Sequence, residues 1–259
     1  MKQIAKALLK DISLAGGSEK SISNFLSEWD NSLNDSRKYY LAATKYFRRS
    51  LPDALKAHRF YFQQESRGFG EDAFHVMWYL LSSKYSLTNF LEIGVYRGQT
   101  ISLISLIGKL KGNPVHVYGI SPFSSVGDSV STYLNHIDYQ QDTYKNFTFF
   151  SLEKPELMKA YSTDREAKDL IASKYWDCIY IDGSHDFEIV LEDWNLCSSH
   201  IRKGGIIVMD DSSFFTQAKL PFYAFKGHEG PSKVAEMVDK NRFKEVLRVG
   251  HNRVFERVL

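Results

Sequence analysis

Cysteine is scarce: Cys178 and Cys197 are the only two in 259 residues. Two isolated thiols build neither a disulfide framework nor a thiolate metal site, and both read as buried, Cys178 in a strand and Cys197 in a helix. A charge excess is also missing. The 33 basic and 31 acidic residues leave a net charge of +2, which gives no footprint for nucleic acid or a membrane surface. No apolar run is long enough to span a bilayer. The segment Met1–Lys10 scatters lysines through its apolar residues, the pattern of an amphipathic helix and not of a signal peptide. The chain therefore reads as cytoplasmic, and the sequon at Asn146-Phe-Thr148 has no role. The Gly-x-Gly-x-x-Gly turn that cradles a pyrophosphate is absent as well, which argues against a dinucleotide oxidoreductase. No repeat or low-complexity tract is present.

The chain is long enough for one sizeable core, an α/β domain with an appendage. Residues 1–85 are helical in pattern and rich in Lys, Tyr and Phe, a cap or an oligomer contact, with a homodimer as the expected assembly. The last of these helices follows Arg67-Gly-Phe-Gly70, carries Glu71 and Asp72 in its first turn, and aligns Phe74, Met77, Trp78 and Leu81 on one stripe. Residues 86–259 alternate strand and helix, the signature of a mostly parallel sheet. Strands are predicted at 89–93, 115–120, 156–161, 176–181 and 205–209, a helix at 232–240, and a closing hairpin at 243–249 and 252–258. The helix after 181 puts Phe187, Val190, Leu191, Trp194 and Ile201 on one face and should stop at Arg202-Lys-Gly-Gly205.

Three places along this pattern carry chemistry. The first is Phe90-Leu-Glu-Ile-Gly-Val-Tyr-Arg-Gly98, an apolar strand ending in Glu92 before a turn framed by Gly94 and Gly98. Such glycines permit positive φ and close approach of a ligand, at the strand-end crevice where nucleotide-like ligands bind. The carboxylate suits an adenosine ligand with a cationic amino-acid tail, S-adenosylmethionine better than NAD. A tight turn without a ligand has the same pattern. The second is Trp176-Asp-Cys-Ile-Tyr-Ile-Asp-Gly-Ser-His185, a strand delivering Asp182 and, three residues on, His185. The third is Ile206-Ile-Val-Met209, which runs into Asp210 and Asp211.

Neighbouring strands ending in carboxylates bring Asp182, Asp210 and Asp211 together. Clustered carboxylates raise one another's pKa and need a partner, a need that a divalent ion such as Mg2+ meets. A hydroxyl beside that ion loses its proton near neutrality. His185, kept neutral by its place at a helix start, is then the candidate base. The plainer alternatives are that Asp182 or Asp211 caps a helix and that His185 is a structural donor. The connections 121–155 and 211–230 are long enough to carry function. Phe214, Phe215, Phe222, Tyr223, Phe225 and His228 in the second form either a substrate wall or ordinary packing.

With these motifs in order, residues 70–259 resemble a class I S-adenosylmethionine-dependent methyltransferase, and more narrowly its metal-dependent small-molecule and sugar O-methyltransferase branch. The resemblance implies a Rossmann-like, seven-stranded, mostly parallel sheet with helices on both faces and a C-terminal antiparallel hairpin strand. It implies that Glu92, Gly94, Tyr96, Gly98 and Thr100 line the methionine end of the cofactor, with Asp182 beside them. Ser121 falls at the ribose, and Ser162 and Thr163 at the adenine. Asp182, Asp210 and Asp211 match the metal ligands, and His185 with Asp182 the catalytic positions. The ribose position usually holds an acid; with Ser121 there, Asp128 is the candidate second contact. Catechol-type relatives place a lysine where this chain has His185. The implied acceptor is a hydroxylated small molecule, a sugar, natural product or catechol-like diol. Metal-independent transfer with His185 as base, and a non-catalytic cofactor-binding protein, stand as the alternatives.

Overall fold

A computed structural model describes residue 29 and residues 31–217, 219–221 and 224–259. The amphipathic reading of Met1–Lys10 and the aromatics Phe222 and Tyr223 lie outside them. Helices α1 (Asn31–Asn34), α2 (Ser36–Ser50), α3 (Asp53–Gln63) and α4 (Asp72–Lys84) come first. Then follow β1 (Asn89–Ile93), α5 (Gln99–Lys111), β2 (His116–Ser121), α6 (Tyr139–Phe149), β3 (Glu156–Lys159), α7 (Arg165–Ala172), β4 (Trp176–Ile181) and α8 (Phe187–His200). The chain ends with β5 (Ile201–Met209), α9 (Glu229–Glu236), β6 (Phe243–Val249) and β7 (Asn252–Arg257). The seven strands form one sheet in the order β3-β2-β1-β4-β5-β7-β6, parallel from β3 to β5 and antiparallel at β7 and β6.

Alternation along the strands sends side chains to opposite faces. Phe90, Cys178, Tyr180, Ile206 and Val208 join a core with α2 and α4–α6. Leu91, Ile93, Ile179, Ile181, Ile207 and Met209 join a second core with α7, α8 and α9. Helices therefore cover both faces, and those before residue 85 share one core with the sheet. The stripe expected on α4 is part of a wider surface: every residue from Ala73 to Leu81 is buried, and Trp78 meets Phe90 and Tyr180 edge-on at 5.5 and 5.1 Å.

The main boundary differences from the sequence reading lie around β5 and at the start of α9. Helix α8 stops at His200, and β5 begins at Ile201 rather than at 205, because Ile201 already pairs with Trp176 across a register shift. The glycines lie inside this strand: Gly204 has φ +73°, and a Cβ on Gly205 would sit 3.0 Å from the Asp177 carbonyl. Helix α9 starts at Glu229 rather than 232, which leaves Pro231, without an N–H, in the first turn where no intrahelical partner is needed. The stretch 121–155 is not all loop, since it contains α6.

Candidate active site

Register builds the site. Ile93 is level with Ile120 and Ile181, and Ile181 with Met209, so β1, β2, β4 and β5 end along one edge. Ladder bonds continue one residue beyond: Gly94 N–H donates to Ile120 O at 2.9 Å, Asp182 N–H to Ile93 O at 2.9 Å and Asp210 N–H to Ile181 O at 3.0 Å. Gly94, Asp182 and Asp210 thus stand side by side at the carboxyl edge, where open α/β sheets bind ligands.

Two cavities meet there. The first runs over the ends of β1, β2 and β4 and is lined by Gly94, Tyr96, Ser121, Ser162, Thr163 and Asp182, six of the expected cofactor residues. Glu92 and Thr100 line the second instead, and Gly98 lines neither. Gly98 has φ +79° and its Cβ would strike Thr143 at 2.6 Å, so packing of α6 demands it, not a ligand. Gly94, Tyr96, Tyr133 and Asp182 belong to both cavities and form their common wall.

Glu92 is buried, and burial pushes its carboxyl up to about 8 against hydrogen bonds from Thr100 and the Ile101 N–H. Its Oε2 has no hydrogen-bond partner, an acceptor in reserve beside the crevice. Asp128 lines the first cavity, with both carboxylate oxygens already engaged by protein donors. Its Oδ1 accepts from Val130 N and Ser131 N at 3.0 and 2.8 Å, and its Oδ2 from His185 N at 2.8 Å and from His185 Nδ1 at 2.6 Å.

The second cavity holds the carboxylates. Asp182 and Asp210 are hydrogen-bonded to each other, and one proton serves the pair: burial, then the charge of Asp210, holds Asp182 well above the usual carboxylate range. Burial also acts on Asp210, but His251 together with hydrogen bonds from Asp182 and Tyr180 outweighs it and brings Asp210 down to about 2. His251 Nε2 lies 3.3 Å from Asp210 Oδ1 and 3.8 Å from Asp211 Oδ1. Sequence reading missed this histidine, which sits at the β6–β7 turn; its carbonyl accepts from Ser212 N at 2.9 Å. Helix capping explains neither outer aspartate, since the N-cap of α8 is Asp186 and that of α9 is His228.

His185 is not the neutral base expected. Burial opposes its charge, but hydrogen bonds to Asp211 and Asp128 prevail and raise it to about 9. Both ring nitrogens are engaged, Nδ1 with Asp128 and Nε2 with Asp211 Oδ2 at 3.0 Å. Nor do the carboxylates lack nearby cations: burial opposes the charge of His251 as well, but Asp210 and Asp211 prevail and raise it to about 9. Of the aromatics after Asp211, Phe225 and His228 line the cavity, whereas Phe214 and Phe215 pack on each other at 5.1 Å.

The donor set suits a cation. Among the described residues, two groups place their donor atoms within 4.8 Å of one another: Asp210, Asp211 and His251, and Asp211, His185 and His228. Asp182 belongs to neither, its carboxylate meeting Asp210. Asp210 Oδ1 is buried without a well-formed hydrogen bond, its neighbour being the His251 ring at 3.3 Å.

Residues 91–212 match the family model for a methyltransferase domain. An uncharacterised protein of Acanthamoeba polyphaga mimivirus is 28% identical over 144 residues, 53% of this chain and 58% of that protein. The match thus spans little more than half the length of that relative. Among solved structures, a putative O-methyltransferase from Klebsiella pneumoniae superposes with TM-score 0.57 at 13% identity, over 86% of this chain and 98% of its own. An O-methyltransferase from Bacillus cereus in complex with S-adenosylhomocysteine gives 0.57 at 13% identity, covering 86% and 99%. A Podospora anserina methyltransferase bound to S-adenosylhomocysteine gives 0.55 at 13% identity, covering 81% and 89%. No described helix is long and apolar enough to cross a membrane. Residues 91–212 thus match a methyltransferase domain, and the seven-stranded fold is that of these methyltransferase structures.

Proposed function

We propose that this protein transfers a methyl group from S-adenosylmethionine to a hydroxyl oxygen of a small molecule, a sugar, natural product or catechol-like diol, with a divalent cation at the carboxylate edge. The observation that carries this reading is the common wall of Gly94, Tyr96, Tyr133 and Asp182 between two cavities, one reaching Ser121, Ser162 and Thr163 and one holding Asp210, Asp211 and four histidines. A donor in the first and an acceptor in the second would face each other across Asp182. The methyltransferase neighbours, two of them holding S-adenosylhomocysteine, support the donor.

The donor supplies an activated methyl group, and a cation bound nearby makes a hydroxyl more acidic; the protein's part is alignment. Glu92 would accept from the ammonium of the donor with its free Oε2. Ser121 would take one ribose hydroxyl, and Ser162 and Thr163 the adenine edge. Tyr96 and Tyr133 close the junction against water. Asp210 and Asp211, with Asp182 beside them, would hold the cation, and the acceptor's proton would leave to water. His185 serves as the oriented partner of Asp211 and not as a free base.

Metal-independent transfer is the second reading, favoured by His185 and His251, whose charge already balances the carboxylates. Titration of S-adenosylhomocysteine into the purified chain by calorimetry tests the donor site, with micromolar binding expected. Absence of heat at several temperatures would sink the methyl-donor reading. Screening hydroxylated acceptors with and without chelator then separates the two readings, since full turnover in chelator leaves only the second.

A further inference from the structure

We propose that His185 Nε2, Asp211 Oδ2 and His228 Nε2 form a two-histidine, one-carboxylate centre for a first-row transition ion of the Mn2+, Fe2+ or Co2+ type. This deepens the cation-assisted reading above and rests on it: the expected ion changes from Mg2+ held by aspartates alone to one held partly by imidazole.

The distances fit a shared ion. Asp211 Oδ2 lies 3.0 Å from His185 Nε2 and 3.6 Å from His228 Nε2. Two donors on one ion at roughly 2.1 Å each stand roughly 3–4 Å apart. The imidazole rings are 4.5 Å apart and inclined by 71°, so the two nitrogens approach the carboxylate from different directions.

The surroundings hold each donor in place. His185 gives its Nδ1 to Asp128, and a carboxylate behind a ligating histidine fixes the ring and directs the lone pair of the other nitrogen outward. Asp128 is itself locked by the amides of Val130, Ser131 and His185. His228 N–H donates to Asp211 O at 2.9 Å, and the Ser232 hydroxyl donates to the same carbonyl at 3.1 Å. A Cβ on Gly230 would meet His185 O at 2.0 Å, so the start of α9 lies directly against the His185 backbone. All three donors line the second cavity. His228 is the most open, its side chain 33% exposed against 13% and 11% for the others, which leaves a face of the centre toward the acceptor side.

Ligand type decides the ion. Mg2+ prefers oxygen and keeps its waters, whereas imidazole nitrogens favour transition ions, and two histidines with one carboxylate and open positions is a transition-metal pattern. The test uses the full chain, stripped with chelator, returned to chelator-free buffer and titrated by calorimetry with Co2+ and separately with Mg2+. Co2+ should bind at least about tenfold tighter than Mg2+ and develop visible absorption from nitrogen coordination. His228→Asn should weaken Co2+ by about tenfold or more while Mg2+ changes little, and Asp128→Asn should weaken Co2+ by about 10–100-fold through His185. Binding of S-adenosylhomocysteine reports that each variant is folded, and the wild-type Co2+ to Mg2+ ratio needs no variant at all. Equal affinity for the two ions, or an unchanged Co2+ isotherm in His228→Asn, overturns the centre and leaves an aspartate-held cation. Heat from neither ion, with S-adenosylhomocysteine still bound, removes the cation reading together with it.

Discussion

A side chain at Gly94 would place its Cβ 1.9 Å from the backbone carbonyl oxygen of Asp182. The two residues that head β1 and β4 at the site are therefore in contact through their main chains, and glycine is required at 94 for protein packing before any ligand arrives.

Gly94→Ala should accordingly destabilise the chain by more than the about 1–3 kcal/mol of a strained backbone, since φ there is +97° and the obstacle is backbone. Binding of S-adenosylhomocysteine should fall with it. Gly112→Ala is the control: φ is +70° but nothing lies within 4 Å of the new Cβ, so the cost should stay near about 1–2 kcal/mol with binding intact. Urea unfolding and calorimetry on both variants check this. Equal losses would mean that the contact with Asp182 is not what demands Gly94.

The histidines of the site set an alkaline limb of stability. His185 and His251 both reach about 9 in the folded chain, above the ordinary 6.5. A group whose pKa is raised by folding contributes stability that is complete below its unfolded value and lost as pH climbs through the folded one. Chelator-treated protein should therefore lose stability between pH 6.5 and 9, by up to about 3 kcal/mol for His185. Asp128→Asn, which removes one of its two carboxylate partners, should flatten part of that fall. Urea midpoints at several pH values measure it, and an identical slope in the variant would show that Asp128 does not hold the charge.

How the sequence failed at His185 is instructive. A histidine near a helix start predicts a neutral ring, and the carboxylates that change this are remote, Asp128 57 positions away and Asp211 26. His251 reaches Asp210 only through the β6–β7 turn, and His228 reaches Asp211 through a loop closed by the Ser212–Gly227 bridge. Such contacts have no periodicity or spacing to read. The strands were legible for the opposite reason: Phe90 to Ile93, Cys178 to Ile181 and Ile206 to Met209 are buried on both faces, so each is a near-continuous apolar run ending at its polar residue. That made Asp182, Asp210 and Asp211 visible as one edge, while their charge partners stayed hidden.

The turn after β1 is clamped from the side by Arg97. It is 6% exposed, its Nε donates to Asp142 Oδ2 at 2.6 Å and Nη1 to Glu65 O at 3.0 Å, and its own carbonyl accepts from Asn146 Nδ2 at 2.8 Å. Asp142→Ala leaves a buried guanidinium without its counter-charge and should cost about 3 kcal/mol, whereas Arg97→Met with Asp142→Leu should cost less. Urea unfolding of the single and double variants decides the point. A double variant as unstable as the single one would show that packing, not charge pairing, dominates.

Behind the same turn runs a buried polar chain. His75 Nε2 meets His58 Nδ1 at 3.1 Å, His58 Nε2 meets Ser102 Oγ at 2.9 Å, and the Ser102 hydroxyl donates to Gly98 O at 2.5 Å. Burial drives both histidines down, with His75 near 3 and lowered further by Arg59, and His58 depressed well below its ordinary value. Neutral in the folded chain, they must gain protons once it unfolds, so they withdraw stability as pH falls below about 6.5. Ser102→Ala strips His58 Nε2 of its partner and should cost about 1–3 kcal/mol. His75→Gln, which cannot take up that proton, should lose less stability than the wild-type chain between pH 6.5 and 4.5, a difference of up to about 2 kcal/mol. Urea midpoints at the two pH values read both effects. If His75→Gln fell as steeply as the wild type, the acid response would have to come from the carboxylates of the site and not from this pair.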